Sequence, residues 1–357
     1  MGSDDRILFE TDDYHTGGEP FRIVAPGAVA LEGHGVADKR VKAMASESVQ
    51  FARALLCSEP RGHADMYGGF VTEPDDEGAD LGVLFWHKDG FSTACGHGTI
   101  ALGVWAVETG LVPSQPDGIR DVRIDVPSGR VTARVAFDAG AITSVSFVNV
   151  PSWVHATGVD VGTDRGAVTC DIAFGGAMYA VVPASAVGLR VHPDDLTDLI
   201  RTGRRIRNDL NAAGAAEHPN DPRLSGVYGI IFTEDVDPGD AVAAAPVEGL
   251  GSEGALHQRN VTIFSDGEVD RSPCGSGTAA RVAQLMSQGR LKEGELLVHD
   301  SIVGSRFHAR AVSQGVTTTA DGHHAVVVEV TGTAHRFGRS HFTVDPRDVL
   351  VPGFVLR

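Results

Sequence analysis

The feature that most constrains this chain is that it repeats itself around a cysteine. The segment from Cys95 to Gly110, CGHGTIALGVWAVETG, aligns without gaps onto Cys274 to Gly289, CGSGTAARVAQLMSQG, and shares Cys, Gly, Gly, Thr, Ala and the closing Gly. Two further pairs of blocks keep the same order. Gly17-Gly18-Glu19-Pro20-Phe21 resembles Gly175-Gly176-Ala177-Met178-Tyr179, and Ser128-Gly129-Arg130 meets Gly304-Ser305-Arg306. Such ordered self-similarity indicates a duplicated fold, read before any motif because it sets the architecture. Each half reads as strand, Gly-Gly turn, strand, long helix, strands, a helix opening at the cysteine, and a β-hairpin, which is α+β in class. Strand-type residues occupy 6–11, 66–72, 81–86 and 122–136, and apolar residues fall at helical spacing over 38–56 and 193–213. The expected division is a first lobe over 1–151 and a second over 152–340, with the segment 340–357 packing back onto the first. At 357 residues the chain is long enough for two cores.

In both halves the cysteine precedes Gly-x-Gly-Thr and an apolar run ending in Gly, so it stands at a helix start with Gly110 or Gly289 at the helix end. The free N–H groups there form an anion site, and the helix dipole is expected to lower the thiol pKa. Two such starts facing one cleft would hold one carboxylate and aim a sulfur at each face of the neighbouring carbon. A thiolate on one face and a thiol on the other suffice to remove an α-proton and return it with inversion. Cys95 and Cys274 are therefore the expected catalytic pair. Gly96 and Gly275 leave room for the ligand against the backbone, His97 and Asp270 can each accept a hydrogen bond from a substrate amine, and Ser276 brings a hydroxyl to the second start. Thr278 adds a hydroxyl near the second start, and Arg271 reads as a structural partner of its loop. His97 also has a local capping reading, and Asp270 a turn reading. Cys57, in a helix, and Cys170, in a strand, read as buried core thiols.

Composition narrows the partners. With 30 basic against 47 acidic residues the net charge is −17, which repels nucleic acid and anionic membranes. No stretch approaches the roughly 18 apolar residues of a membrane span, and no export signal opens the chain, so a cytoplasmic protein with free thiols is expected. A small molecule is the expected partner, and a homodimer is compatible with the sequence. The fifteen histidines show no metal-ligand spacing, so no metal is expected. Gly249-Leu250-Gly251-Ser252-Glu253-Gly254 matches a dinucleotide-binding pattern but is followed by a strand, so it reads as a loop.

Asp270-Arg271-Ser272-Pro273-Cys274-Gly275-Ser276-Gly277-Thr278, Cys95-Gly96-His97-Gly98 and His15-Thr16-Gly17-Gly18-Glu19-Pro20 resemble the signature blocks of the proline racemase family. The resemblance runs from about Asp12 to the end. It implies the two-lobed fold shared with diaminopimelate epimerase, each lobe a curved sheet around a central helix, and no cofactor. It also implies Cys95 and Cys274 as proton acceptor and donor. That family contains proline racemases, 4-hydroxyproline 2-epimerases and trans-3-hydroxyproline dehydratases. Segments such as His63-Ala64-Asp65-Met66-Tyr67-Gly68-Gly69 resemble the dehydratase branch, which typically carries threonine where this chain has Cys274. The second thiol favours inversion of proline or hydroxyproline. A trans-3-hydroxyproline dehydratase is the alternative enzyme, and a non-catalytic amino-acid-binding protein is the alternative of another class.

Overall fold

The computed structural model describes residues 7–236, 254–312, 317–318 and 322–356. The dinucleotide-like segment falls outside the described residues except for Gly254, and the strand Leu256–Phe264 comes directly after it. The first lobe contains strands β1 (Ile7–Thr16) and β2 (Glu19–Val24), helices α1 (Gly35–Ala45) and α2 (Glu47–Cys57), strands β3 (Gly68–Thr72), β4 (Leu81–His87) and β5 (Gly90–Phe91), helix α3 (Gly96–Glu108), and strands β6 (Gly118–Val126), β7 (Gly129–Asp138) and β8 (Ala141–Val148). The second lobe contains β9 (Ser152–Thr163), β10 (Gly166–Phe174), β11 (Met178–Pro183), α4 (Leu196–Ala212), β12 (Val227–Asp235), β13 (Leu256–Phe264), β14 (Glu268–Asp270), α5 (Gly275–Ser287), β15 (Leu297–Ser301), β16 (Arg306–Ala311), β17 (Thr317–Thr318), β18 (His324–Val326) and β19 (Val328–Gly332). A last strand, β20 (Ala334–Thr343), ends the order.

The pairing pattern repeats with the sequence. β2 runs parallel to β3 as β11 does to β12, and β4 parallel to β6 as β13 does to β15. α3 is wrapped by β1, β2, β7, β8 and β20, and α5 by β9, β10, β11, β16 and β19. Both helices are buried almost all round, which explains why neither shows a polar stripe in its sequence. The lobes join where β8 pairs antiparallel with β19, Ser146 facing Thr331. Two strands cross this junction in opposite senses. β9 leaves the first lobe to pair with β10, and β20 leaves the second to pair with β1 from Thr16 opposite Ala334 to Ile7 opposite Thr343. The chain thus returns to the first lobe at Ala334, before the boundary near 340 that the sequence suggests. Beyond it, Glu59 bridges Phe354, and Phe342, Val344 and Val351 cover a core that includes Leu55 and Leu56.

The apolar period over 38–56 predicts one helix, but the structure has two. Ser46 is extended and its hydroxyl caps α2 by accepting from Val49 N at 3.4 Å, so the backbone breaks there although the pattern continues. Over 193–213, a 3₁₀ turn at Pro193–Asp195 precedes α4. The first core is tight where Gly68 lies against the Trp86 ring, and Trp86 is fully buried. Replacing Trp86 by alanine is expected to cost about 3–5 kcal/mol, read as a lower denaturant midpoint with an unchanged slope.

Candidate active site

The cleft is organised by a contact between backbones. A Cβ placed on Gly96 would lie 2.5 Å from Gly275 Cα, and one on Gly275 would lie 2.7 Å from Gly96 Cα. The first residues of α3 and α5 therefore touch, and their N-terminal N–H groups open into the same space. Each motif's second glycine has a different task. A Cβ on Gly98 would sit 2.8 Å from Cys95 Sγ, and one on Gly277 would sit 2.8 Å from Cys274 Sγ. The sulfurs fold back over the first helical turn, and only glycine leaves them room.

Cys95 caps α3 from an extended backbone, its Sγ accepting from Gly98 N at 3.2 Å. Cys274 occupies the equivalent place with φ +62°, a conformation costing a non-glycine residue on the order of 1–3 kcal/mol. Its turn is braced by Ser272, whose Oγ accepts from Cys274 N at 3.1 Å and donates to Asp270 Oδ1 at 2.7 Å. The two thiols are almost entirely buried. Burial pushes both well above the ordinary range, and the negative charge of Asp270 adds to this, whereas the N–H groups of Gly98 and Gly277 pull down. The lowered thiol pKa expected from the helix start is thereby reversed, because this desolvation outweighs one N–H and a dipole end. A thiolate held here is a strong, poorly solvated base.

His97 and Asp270 meet across the cleft, Nδ1 lying 4.0 Å from Oδ2, and the His97 ring lies 3.4 Å from Cys95 Sγ at Nδ1. Burial drives the His97 pKa down to about 3, with the Arg271 charge second, so the ring is neutral. Ser276 Oγ is paired with Tyr179 Oη at 2.7 Å, and that phenol is 4.0 Å from Cys274 Sγ. Thr278 is directed elsewhere: its hydroxyl donates to Pro273 O at 2.9 Å and faces His299 Nδ1 at 2.8 Å, so it fixes the loop instead of facing the cleft. Arg271 bonds Glu19 at 2.8 Å and lies 3.4 Å from Asp65, tying the second cysteine loop to the first lobe. Cys57 and Cys170 lie in the hydrophobic cores, and all four cysteines are free thiols.

Three tyrosines of the cleft lie outside the motifs. Tyr67 packs edge-on against His97 with ring centroids 5.0 Å apart, hydrogen-bonds Ser92 and lies 3.2 Å from Tyr228 Oη. Tyr179 is detectable from the duplication, because it aligns with Phe21 as Ser276 aligns with His97. Phe21 packs on His97 with ring centroids 5.8 Å apart, just as Tyr179 bonds Ser276. Tyr228 has no such signal. Among the described residues one cluster, His87, Asp89 and Glu268, has metal-like spacing. Lys88 already lies 2.7 Å from Asp89 and 3.6 Å from Glu268, so a cation fills that role.

The family model described as Proline racemase matches residues 12–355. A protein of Bacillus cereus named trans-3-hydroxy-L-proline dehydratase is 40% identical over 349 residues, covering 98% of each chain. One of Burkholderia multivorans named 3-hydroxyproline 2-epimerase is 43% identical over 348 residues, covering 97% of this chain and 98% of its own. The crystal structure of a hydroxyproline epimerase from Agrobacterium vitis with bound trans-4-hydroxy-L-proline superposes with a TM-score of 0.85 at 29% identity, covering 98% of this chain and 95% of that one.

The glycine contact yields a direct test. Gly275→Ala must push the helix starts apart, and an ångström of displacement is expected to lower kcat/KM by about 100-fold in an enzyme that remains folded by circular dichroism. Asp270 provides a second. Burial raises its pKa to about 6 from the ordinary 3.8, against the pull of the Ser272 hydroxyl and N–H. The folded state therefore binds this proton more tightly than the unfolded chain. The penalty for its charge is present above pH 6 and disappears as pH falls toward 3.8. An ammonium ligand needs the charged form, so KM is expected to rise as pH falls through about 6, and Asp270→Asn is expected to remove that inflection.

Proposed function

The chain belongs to the proline racemase family, and we propose that it inverts Cα of proline or a hydroxyproline with Cys95 and Cys274 as the two acid/base groups. The observation that carries this reading is the pair of buried thiols set on helix starts whose glycines touch. One thiolate takes the α-proton and becomes a thiol. The negative charge moves from Cα into the carboxylate, where N–H groups of Gly96, His97, Gly275 and Ser276 can stabilise it. The opposite thiol then gives its proton to the other face and becomes the thiolate. Net charge is unchanged, and no electron donor or acceptor is needed. A thiol pKa raised by burial strengthens the base, which narrows the gap to the weakly acidic α-carbon. Neutral His97 and ionised Asp270 are suited to the substrate amine, which carries the positive charge that offsets the thiolate.

The names of the relatives divide between epimerase and dehydratase at similar identity. A trans-3-hydroxyproline dehydratase removes the same α-proton from one face and expels the ring hydroxyl as water, leaving an enamine that tautomerises to a pyrroline carboxylate. It needs no proton donor on the second face. A thiol at position 274, in a strained backbone, favours inversion.

Incubation with L-proline and with trans-3- and trans-4-hydroxy-L-proline in D2O, followed by chiral chromatography and mass measurement, tests the reading. We expect inversion with one α-deuterium gained per event for at least one of them. A pyrroline carboxylate without inversion would establish the dehydratase instead. Cys95→Ser and Cys274→Ser are each expected to lower inversion at least about 1000-fold, because a hydroxyl is a far weaker acid than a thiol. Cys57→Ser and Cys170→Ser are expected to retain it.

A further inference from the structure

Beside the reaction site lies a second concavity, a cavity of about 320 Å³ between the lobes. Arg40 of α1 and Arg207 of α4 reach it from opposite lobes, with Arg223 at its edge. His87, Ser92 and Tyr228 form the wall toward the cysteines. Of the three arginines, Arg223 is neutralised by Asp221 at 2.6 Å. The other two are not. Arg40 donates to Phe91 O at 2.9 Å and Arg223 O at 3.5 Å, and Arg207 to Tyr228 O at 3.1 Å and the Asn208 side-chain oxygen at 3.4 Å. Among the described residues neither has a carboxylate within ion-pair distance, and neither Nη2 makes a hydrogen bond to the protein. Asp89, the acidic group on the lining, is held by Lys88 and by Asp266 N at 2.9 Å.

Two half-buried guanidiniums without a direct ion pair are costly in any protein. They are more unexpected in a chain of net charge −17. Burial lowers the pKa of both, and the more distant carboxylates, Asp221 for Arg40 and Asp89, Asp266 and Glu268 for Arg207, offset it only in part. Two arginines lining one cavity suit a planar, delocalised anion, which a guanidinium fork can bind through paired N–H groups. The partition separating this cavity from the thiols is thin and hydroxylated. Tyr228 Oη is 3.2 Å from Tyr67 Oη, Tyr67 bonds Ser92, and the Tyr67 ring rests on His97.

We propose that this cavity is a carboxylate-binding vestibule, in which Arg40 and Arg207 hold the carboxylate of an incoming amino acid before it passes the Tyr67–Ser92–Tyr228 partition to the paired helix starts. The inference rests on the amino-acid chemistry argued above, but it assigns residues outside that site. Positive charge focused in a low-dielectric cleft raises the local concentration of anionic ligand and its rate of capture, while leaving the chemical step alone. Arg40 and Arg207 are thus capture residues, distinct from the groups that touch the reacting atoms.

The test compares wild type with Arg40→Gln, Arg207→Gln and the double variant, with Arg40→Lys as a charge-keeping control. The double variant is expected to raise KM about tenfold with kcat within twofold of wild type. High salt should erase the difference, and Arg40→Lys should retain most of the wild-type KM. Sulfate is the probe for the cavity itself. It is expected to raise Tm of the wild type but not of the double variant, and to inhibit competitively with substrate. An unchanged KM in the double variant, a loss confined to kcat, or sulfate that stabilises without competing would overturn the vestibule. The melting experiment reads the arginine site without turnover, so failure of the cysteine mechanism, seen as absent α-deuterium exchange in the wild type, is told apart from failure of this proposal.

Discussion

Everything in the cleft depends on two glycine backbones being in contact. Because Gly96 and Gly275 have no side chains, α3 and α5 meet start to start at van der Waals distance, and two sets of unbonded N–H groups are brought to bear on one small volume. A single methyl group at either position would separate them. The contact also explains why the lobes are so heavily cross-braced. Ser305 donates to Gly17 O at 2.7 Å, Thr93 to Gly176 O at 2.8 Å, and Arg271 reaches Glu19 from the other lobe. The two Gly-Gly turns are each wedged against the opposite half, which holds the helix starts in register.

The duplication is faithful in backbone and unfaithful in chemistry. Around the cysteines, Phe91-Ser92-Thr93-Ala94 lies opposite Asp270-Arg271-Ser272-Pro273. Only the second of these segments carries an acid, so the cleft is charged on one side while both sides offer helix-start N–H groups. In the proposed reaction, such broken symmetry would let two nearly equivalent sulfurs act on a ligand held in one orientation. The strain is unequal as well, Cys274 sitting at φ +62° where Cys95 is extended.

Much of this was legible in the sequence, for an identifiable reason. The repeated Cys-Gly-x-Gly-Thr consists of residues whose backbone demands are severe, so folding leaves little else they can specify. The two-lobed α+β fold and the meeting of Cys95, Cys274, His97, Asp270 and Ser276 come from it. What was not legible depends on long-range meetings of ordinary residues. Nothing near Arg40 or Arg207 marks them, because only the folded lobes bring them to the lining of one cavity. The break at Ser46 was hidden by an apolar period that continues through it. The upward shift of the thiols was missed because local helix-start electrostatics is visible in sequence, whereas the depth at which the start is buried is not.

The exchange of β9 and β20 between lobes has a consequence for how the molecule is made. β1 is synthesised long before β20, so its outer edge finds its partner only when the strand ending at Thr343 has been made. Until then the first lobe carries an open strand edge of the kind that invites misplaced pairing. The first lobe therefore cannot complete its sheet before β20 is made.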